Sequence, residues 1–125
     1  MNKIKILNSK NLKSYLKMDS PTIHLQSQTE QKLIPINRII FTKALIDAIK
    51  SRGGKVPKVL MSKEFTTPLN RMDTVLNLIS EGVVLPPIVV RKIGATEYYE
   101  LIDGRHRVAA SVLLGKAEVP ATIVK

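Results

Sequence analysis

The sequence predicts a small α+β domain, a mixed sheet with helices packed on it. Three observations carry this expectation. Segments with strand character alternate with segments of helical spacing, in the order strand, helix, helix, strand, strand, helix, strand. At 125 residues and 44% apolar composition, the chain suits one modest core. The stretch from Tyr98 to Ser111 reads as a strand, a glycine break, a cluster of cationic side chains and then a helix.

Residues 1–31 are polar and rich in Lys, Gln and Ser, and are expected to form an N-terminal extension preceding a domain over 32–125. Leu12, Tyr15 and Leu16 could share one side of a short helix that Ser20-Pro21 would end. His24 reads as a surface or packing residue, because no second ligand type lies at useful spacing. Lys32 to Phe41 reads as the first strand of the domain, with Pro35 placing it at an edge. Thr42 suits an N-cap. Ala44, Leu45, Ala48 and Ile49 follow at helical spacing, up to Gly53-Gly54. Lys50, Arg52, Lys55, Lys58 and Lys63 then make a basic loop in which Val59 to Met61 could form a short strand. Thr67-Pro68 has the form of a helix start. Leu69, Met72, Val75, Leu76 and Ile79 give that helix one apolar face, and Gly82 ends it. Ile88 to Arg91 is a short apolar strand. The turn Ile93 to Thr96 leads into a strand over Glu97 to Ile102. Val108 to Leu114 suits a buried helix stopped by Gly115, and Glu118 to Val124 forms the last strand.

Composition narrows the chemistry. The absence of cysteine excludes disulfides, thiolate metal sites and a cysteine nucleophile, and two histidines are too few for a structural zinc site. No apolar run approaches the roughly 20 residues that span a bilayer. The N-terminus also lacks the apolar core and cleavage site of a secretory signal, so a cytoplasmic protein is expected. The net charge of +10 is uneven: residues 1–63 carry thirteen Lys/Arg against three Asp/Glu, and residues 64–125 carry seven against seven. The basic half reads either as a face for DNA or RNA or as a lysine-rich solvated surface. Three Tyr and two Phe offer few platforms for stacking bases.

The sharpest clue lies at the last helix. Gly104 permits a tight turn and a close backbone approach, and Arg105, His106 and Arg107 then crowd the positive end of the helix. Positive charge there opposes the helix dipole, and an anion such as a phosphate would relieve the conflict. Alternatively, His106 and Arg107 are a structural pair that caps a strand or bonds Asp103. Asp103 itself could bind Mg²⁺ through water or act as a general base. Alternatively it could cap the helix or pair with Arg105 or Arg107. Glu100 precedes it by an odd offset, which places the two carboxylates on opposite strand faces.

Taken together, Pro86-Pro87-Ile88-Val89-Val90-Arg91, Tyr99-Glu100-Leu101-Ile102-Asp103-Gly104-Arg105-His106-Arg107-Val108-Ala109-Ala110, Leu114-Gly115 and Val119-Pro120-Ala121 resemble the ParB/sulfiredoxin superfamily over about residues 32–125. The resemblance implies that fold and a nucleotide ligand (ATP, ADP or CTP, with Mg²⁺ as its companion). It assigns Gly104, Arg105, His106 and Arg107 to the phosphates, with Asp103 as the carboxylate for any chemistry. It also implies a setting in plasmid, phage or mobile-element DNA maintenance, with a homodimer as the assembly seen in relatives. Phosphotransferase or metal-dependent nuclease activity is the alternative within the same superfamily. Sulfiredoxins carry their cysteine nucleophile where this chain has Arg105, so sulfinic acid repair is not expected. Free serine kinases have an Asp before the glycine, matched by Asp103, but the place of their catalytic Glu here reads Phe41-Thr42-Lys43.

Overall fold

The computed structural model describes residues 29–125, and the expectations for residues 1–28 lie outside them. Among the described residues, the strands are β1 (Thr29–Pro35), β2 (Ile88–Lys92), β3 (Tyr99–Asp103) and β4 (Glu118–Val124). The helices are α1 (Lys43–Lys50), α2 (Met72–Ser80) and α3 (Arg105–Leu113). The order along the chain is the expected one. Contacts group Gln31–Val124 into a compact unit.

The four strands form one sheet in the order β1-β4-β2-β3. β2 pairs antiparallel with β3 and parallel with β4, so the sheet is mixed as expected. The β2–β4 connection runs through β3 and α3. Helix α3 packs against both other helices and against β2 and β4. Its buried face is Val108, Ala109 and Ala110, and the two alanines let neighbouring backbones come close. Around them the core gathers Phe41, Leu45 and Ile49 with Ile88, Val90 and Tyr99.

The first strand differs from the expected Lys32 to Phe41. It starts three residues earlier, at Thr29, and stops at Pro35. Only Ile34 of its seven residues is buried, so no alternating pattern marked its start. After Pro35 the chain turns through a single 3₁₀ turn, Ile36–Arg38, pinned by Ile36 N–H donating to Ala117 O at 2.9 Å. Ile39 and Phe41 then make isolated bridges, to Tyr99 and Met61. Pro35 does lie on an edge strand.

Thr42 caps α1 as its sequence suggests, accepting from Leu45 N–H through Oγ1 at 3.4 Å. Thr67 does not cap α2. That helix begins five residues later, at Met72, with Arg71 at the N-cap and no side-chain cap. The oxygens of Thr67 are engaged elsewhere, as described below. All three helices end alike. For α2, Gly82 N–H donates to Ile79 O and Val83 N–H to Leu78 O, both at 3.0 Å, and the same pair of bonds recurs around Gly53 and Gly115.

Gly104 fixes the join between sheet and helix. Its φ is 111°, and a Cβ there would lie 2.7 Å from Ile88 Cγ2 and 3.2 Å from Ile88 Cα. Both the backbone conformation and the space demand glycine. Gly104→Ala is expected to destabilise the domain by about 2–4 kcal/mol through overpacking plus backbone strain. Gly94→Ala, at φ 53° with open space around it, should cost no more than about 1–2 kcal/mol. Urea unfolding of the two variants measures the difference, and equal losses would contradict the account.

Candidate functional site

The site is built where the N-termini of two helices meet. Gly104 caps α3 with its backbone alone, since no side chain accepts from the first turn. The first helical bond is Val108 N–H to Gly104 O at 3.0 Å. The N–H groups of Arg105, His106 and Arg107 are therefore left for an outside partner. No acidic residue lies in that first turn. Arg71, the N-cap of α2, donates its backbone N–H to His106 Nε2 at 3.3 Å, which brings the start of α2 against the start of α3. Two positive dipole ends thus face one small region together with three arginines and a histidine.

Each basic side chain has its own role in the geometry. Arg107 is largely enclosed, with a side chain 20% exposed. Its guanidinium donates to Pro86 O at 2.8 Å and Pro87 O at 2.6 Å, and its other terminal nitrogen donates to Asp103 Oδ2 at 2.9 Å. It clamps the entry of β2 to the start of α3. Arg105 donates to Thr67 O at 2.6 Å and to Thr67 Oγ1 at 3.3 Å. Those acceptors are uncharged, so the cation keeps its full charge for a ligand. Arg71 forms no ion pair among the described residues. His106 is half-buried. Its pKa is lowered from the ordinary value of 6.5, first by loss of hydration and then by repulsion from Arg71, Arg105 and Arg107. The neutral imidazole is the form that can accept from Arg71 N–H.

The structure brings together all five residues singled out from the sequence: Asp103, Gly104, Arg105, His106 and Arg107. Of the alternatives open for Asp103, pairing with Arg107 is the one formed, and its carboxylate stays 70% exposed. Glu100 is engaged separately with Arg91, at 3.6 Å across β2 and β3. The β2–β3 register shifts between Val89 and Val90, next to the Val89–Asp103 pair, so the ladder is irregular beside the turn. Among the described residues no cluster of three metal-ligating side chains occurs. No helix among them is long and apolar enough to cross a membrane.

Sequence reasoning missed Arg71 and the carbonyls of Thr67, Pro86 and Pro87. Arg71 carried a readable signal: a cation placed just before an apolar helical run repeats the conflict seen at Arg105 to Arg107. The carbonyls carried none, because a backbone acceptor looks the same under every side chain.

Comparisons with known proteins agree with this architecture. The sequence model of the ParB N-terminal domain matches residues 26–125. An ATP-dependent L-serine kinase of Staphylothermus marinus is 40% identical over 65 residues, covering 52% of this chain and 26% of its own length. Among solved structures, C-terminally truncated SbnI from Staphylococcus aureus superposes with a TM-score of 0.51 at 21% identity, covering 82% of this chain and 32% of that one. A variant of a free serine kinase in complex with AMP gives 0.50 at 14% identity, covering 78% and 32%. The chain thus spans about a quarter of the curated relative and a third of these structures.

Two outcomes follow from the geometry. Arg107→Ala should destabilise the domain by about 1–3 kcal/mol, because it leaves the Pro86 and Pro87 carbonyls without their donor, whereas Arg105→Ala should cost under about 1 kcal/mol. Thermal unfolding at pH 7.5 reads both. His106, whose folded pKa is depressed, stabilises fully above its unfolded value of 6.5, and that contribution is lost as pH falls through the lower folded value. The fall in melting temperature on acidification below pH 6.5 should therefore be shallower in His106→Gln than in the unmodified protein. Parallel curves would contradict the account.

Proposed function

Since this chain belongs to the ParB N-terminal domain family, we propose that it binds a nucleotide by its phosphates at the joined N-termini of α2 and α3. The observation that carries the reading is the start of α3, which lacks a side-chain cap and leaves its N–H groups free, set against the Arg71 end of α2. That arrangement is unfavourable when empty and is relieved by an anion. Phosphate oxygens would accept from the N–H groups of the first turn of α3 and from Arg105 and Arg71. Arg107 and Gly104 would position that turn. His106 would gain a proton beside the anion, becoming a further donor. The curated kinase relative, named as ATP-dependent, supports a nucleoside triphosphate as the ligand class. Mg²⁺ would arrive on the phosphates, which is its usual mode of binding. Plasmid, phage or mobile-element DNA maintenance is the setting this reading suggests.

Phosphotransfer is the second reading, favoured by the same relative. Asp103 is the carboxylate beside the turn. At the place of the kinases' Glu this chain has Phe41-Thr42-Lys43, where the Thr42 hydroxyl accepts from Leu45 N–H and from Thr66 Oγ1. Binding without turnover therefore stands first.

Calorimetric titration with ATP, ADP, CTP and GTP, with and without Mg²⁺, tests the proposal. Micromolar binding to at least one nucleotide is expected, weakened about tenfold or more in Arg105→Ala and in Arg71→Ala. Arg71 is exposed and Arg105 half-buried on uncharged acceptors, so both variants should remain folded, and thermal unfolding checks that they do. Absence of binding to every nucleotide, or unchanged affinity in both variants, would overturn it. Product formation from ATP that needs Mg²⁺ and disappears in Asp103→Asn would move the reading to phosphotransfer.

A further inference from the structure

A second surface stands apart from the phosphate turn. Between α1 and the segment after it runs an open groove lined by Ile46, Val56, Val59 and Met61, with Lys50, Lys55 and Lys58 beside them. The lysines are exposed, while Ile46, Val56 and Val59 are half-buried. The segment forming one wall is anchored at both ends. At one end Gly54 N–H donates to Ile49 O at 3.0 Å, and a Cβ on Gly54 would come within 2.5 Å of Leu113 Cδ2. At the other, Phe41 N–H donates to Leu60 O at 2.9 Å and Ser62 N–H to Phe41 O at 2.7 Å. Between the anchors, Lys55 to Val59 make no hydrogen bond to other described residues through their backbone. The groove is thus preformed, with unpaired backbone donors and acceptors along one wall.

Its charge is also unbalanced. Between residues 43 and 63 the sole acid is Asp47, which is engaged by Lys43 at 2.8 Å. Asp73 is taken by Arg52 at 2.7 Å. Among the described residues Lys50, Lys55 and Lys58 have no acidic partner. We infer that this groove docks an acidic, apolar-containing extended segment of a protein partner. Carboxylates would meet the three lysines, aliphatic side chains would enter the lining of Ile46, Val56 and Val59, and the partner's backbone would pair with the Lys55–Val59 wall. The lining decides against nucleic acid. It holds no aromatic ring or arginine on which a base could stack, and phosphates alone would have no use for an aliphatic floor.

Fluorescence anisotropy of the full chain tests this with a labelled peptide of about a dozen residues in which leucines are interleaved with glutamates. Micromolar binding is expected. It should weaken about tenfold or more in Lys55→Glu/Lys58→Glu, in Val56→Ser/Val59→Ser, and for a peptide with serine in place of every leucine. Arg105→Ala should leave it unchanged, which separates this site from the phosphate turn. The lysine pair is exposed, so that variant remains informative even if the valine pair impairs folding. Equal affinity for the serine peptide, insensitivity to the lysine substitutions, absence of binding, or displacement of the peptide by a single-stranded oligonucleotide at lower concentration than by the unlabelled peptide would each overturn the inference.

Discussion

Everything at the turn between β3 and α3 depends on how closely Gly104 approaches Ile88. With a hypothetical Cβ only 2.7 Å from Ile88 Cγ2, no other residue lets β3 reverse into α3 at this distance from β2. That approach sets Arg107 within reach of the Pro86 and Pro87 carbonyls, and the clamp in turn fixes the start of β2. Ile88 is fully buried and its strand pairs with both β3 and β4, so the position of the turn is tied to the centre of the sheet. The site is accordingly carried on rigid elements, which is what precise recognition of an anion requires.

The electrostatics of the turn run against local stability. Helices ordinarily place acids in the first turn, and α2 does so with Asp73. α3 places Arg105, His106 and Arg107 there and has no side-chain cap. Three kinds of partner soften the conflict without removing it. Arg107 is neutralised by Asp103, Arg105 rests on the uncharged oxygens of Thr67, and His106 stays neutral as an acceptor. Only the first of these cancels charge. Such a residual imbalance, held in place by a well-packed core, is typical of a site shaped for a ligand rather than for the empty fold.

Most of the architecture was legible in the sequence, because the apolar spacing of Leu45, Ala48 and Ile49, the cap at Thr42 and the glycines after each helix are local signals with local causes. The turn was legible for the same reason: Asp103-Gly104-Arg105-His106-Arg107 is contiguous. Errors arose where a distant partner overrode a local preference. Thr67-Pro68 has the form of a helix start, yet Arg105, 38 residues away, takes both Thr67 oxygens and α2 begins later. Lys32 to Phe41 has strand composition throughout, yet the bond from Ile36 N–H to Ala117 O breaks it after Pro35. The division of labour among the arginines was also beyond the sequence. Identical side chains two residues apart became a clamp in Arg107 and an available cation in Arg105, and only the positions of the carbonyls decide which is which.

The central claim is that the first turn of α3 receives an anion. It is tested most directly by following backbone amide and His106 imidazole resonances by NMR while nucleotide is added. The account predicts that the largest shifts fall on Gly104 to Val108 and on Arg71, and that the pKa of His106 rises as the ligand's charge offsets the surrounding arginines. Shifts confined to Lys50 to Lys63, or a His106 titration that nucleotide leaves unmoved, would contradict it.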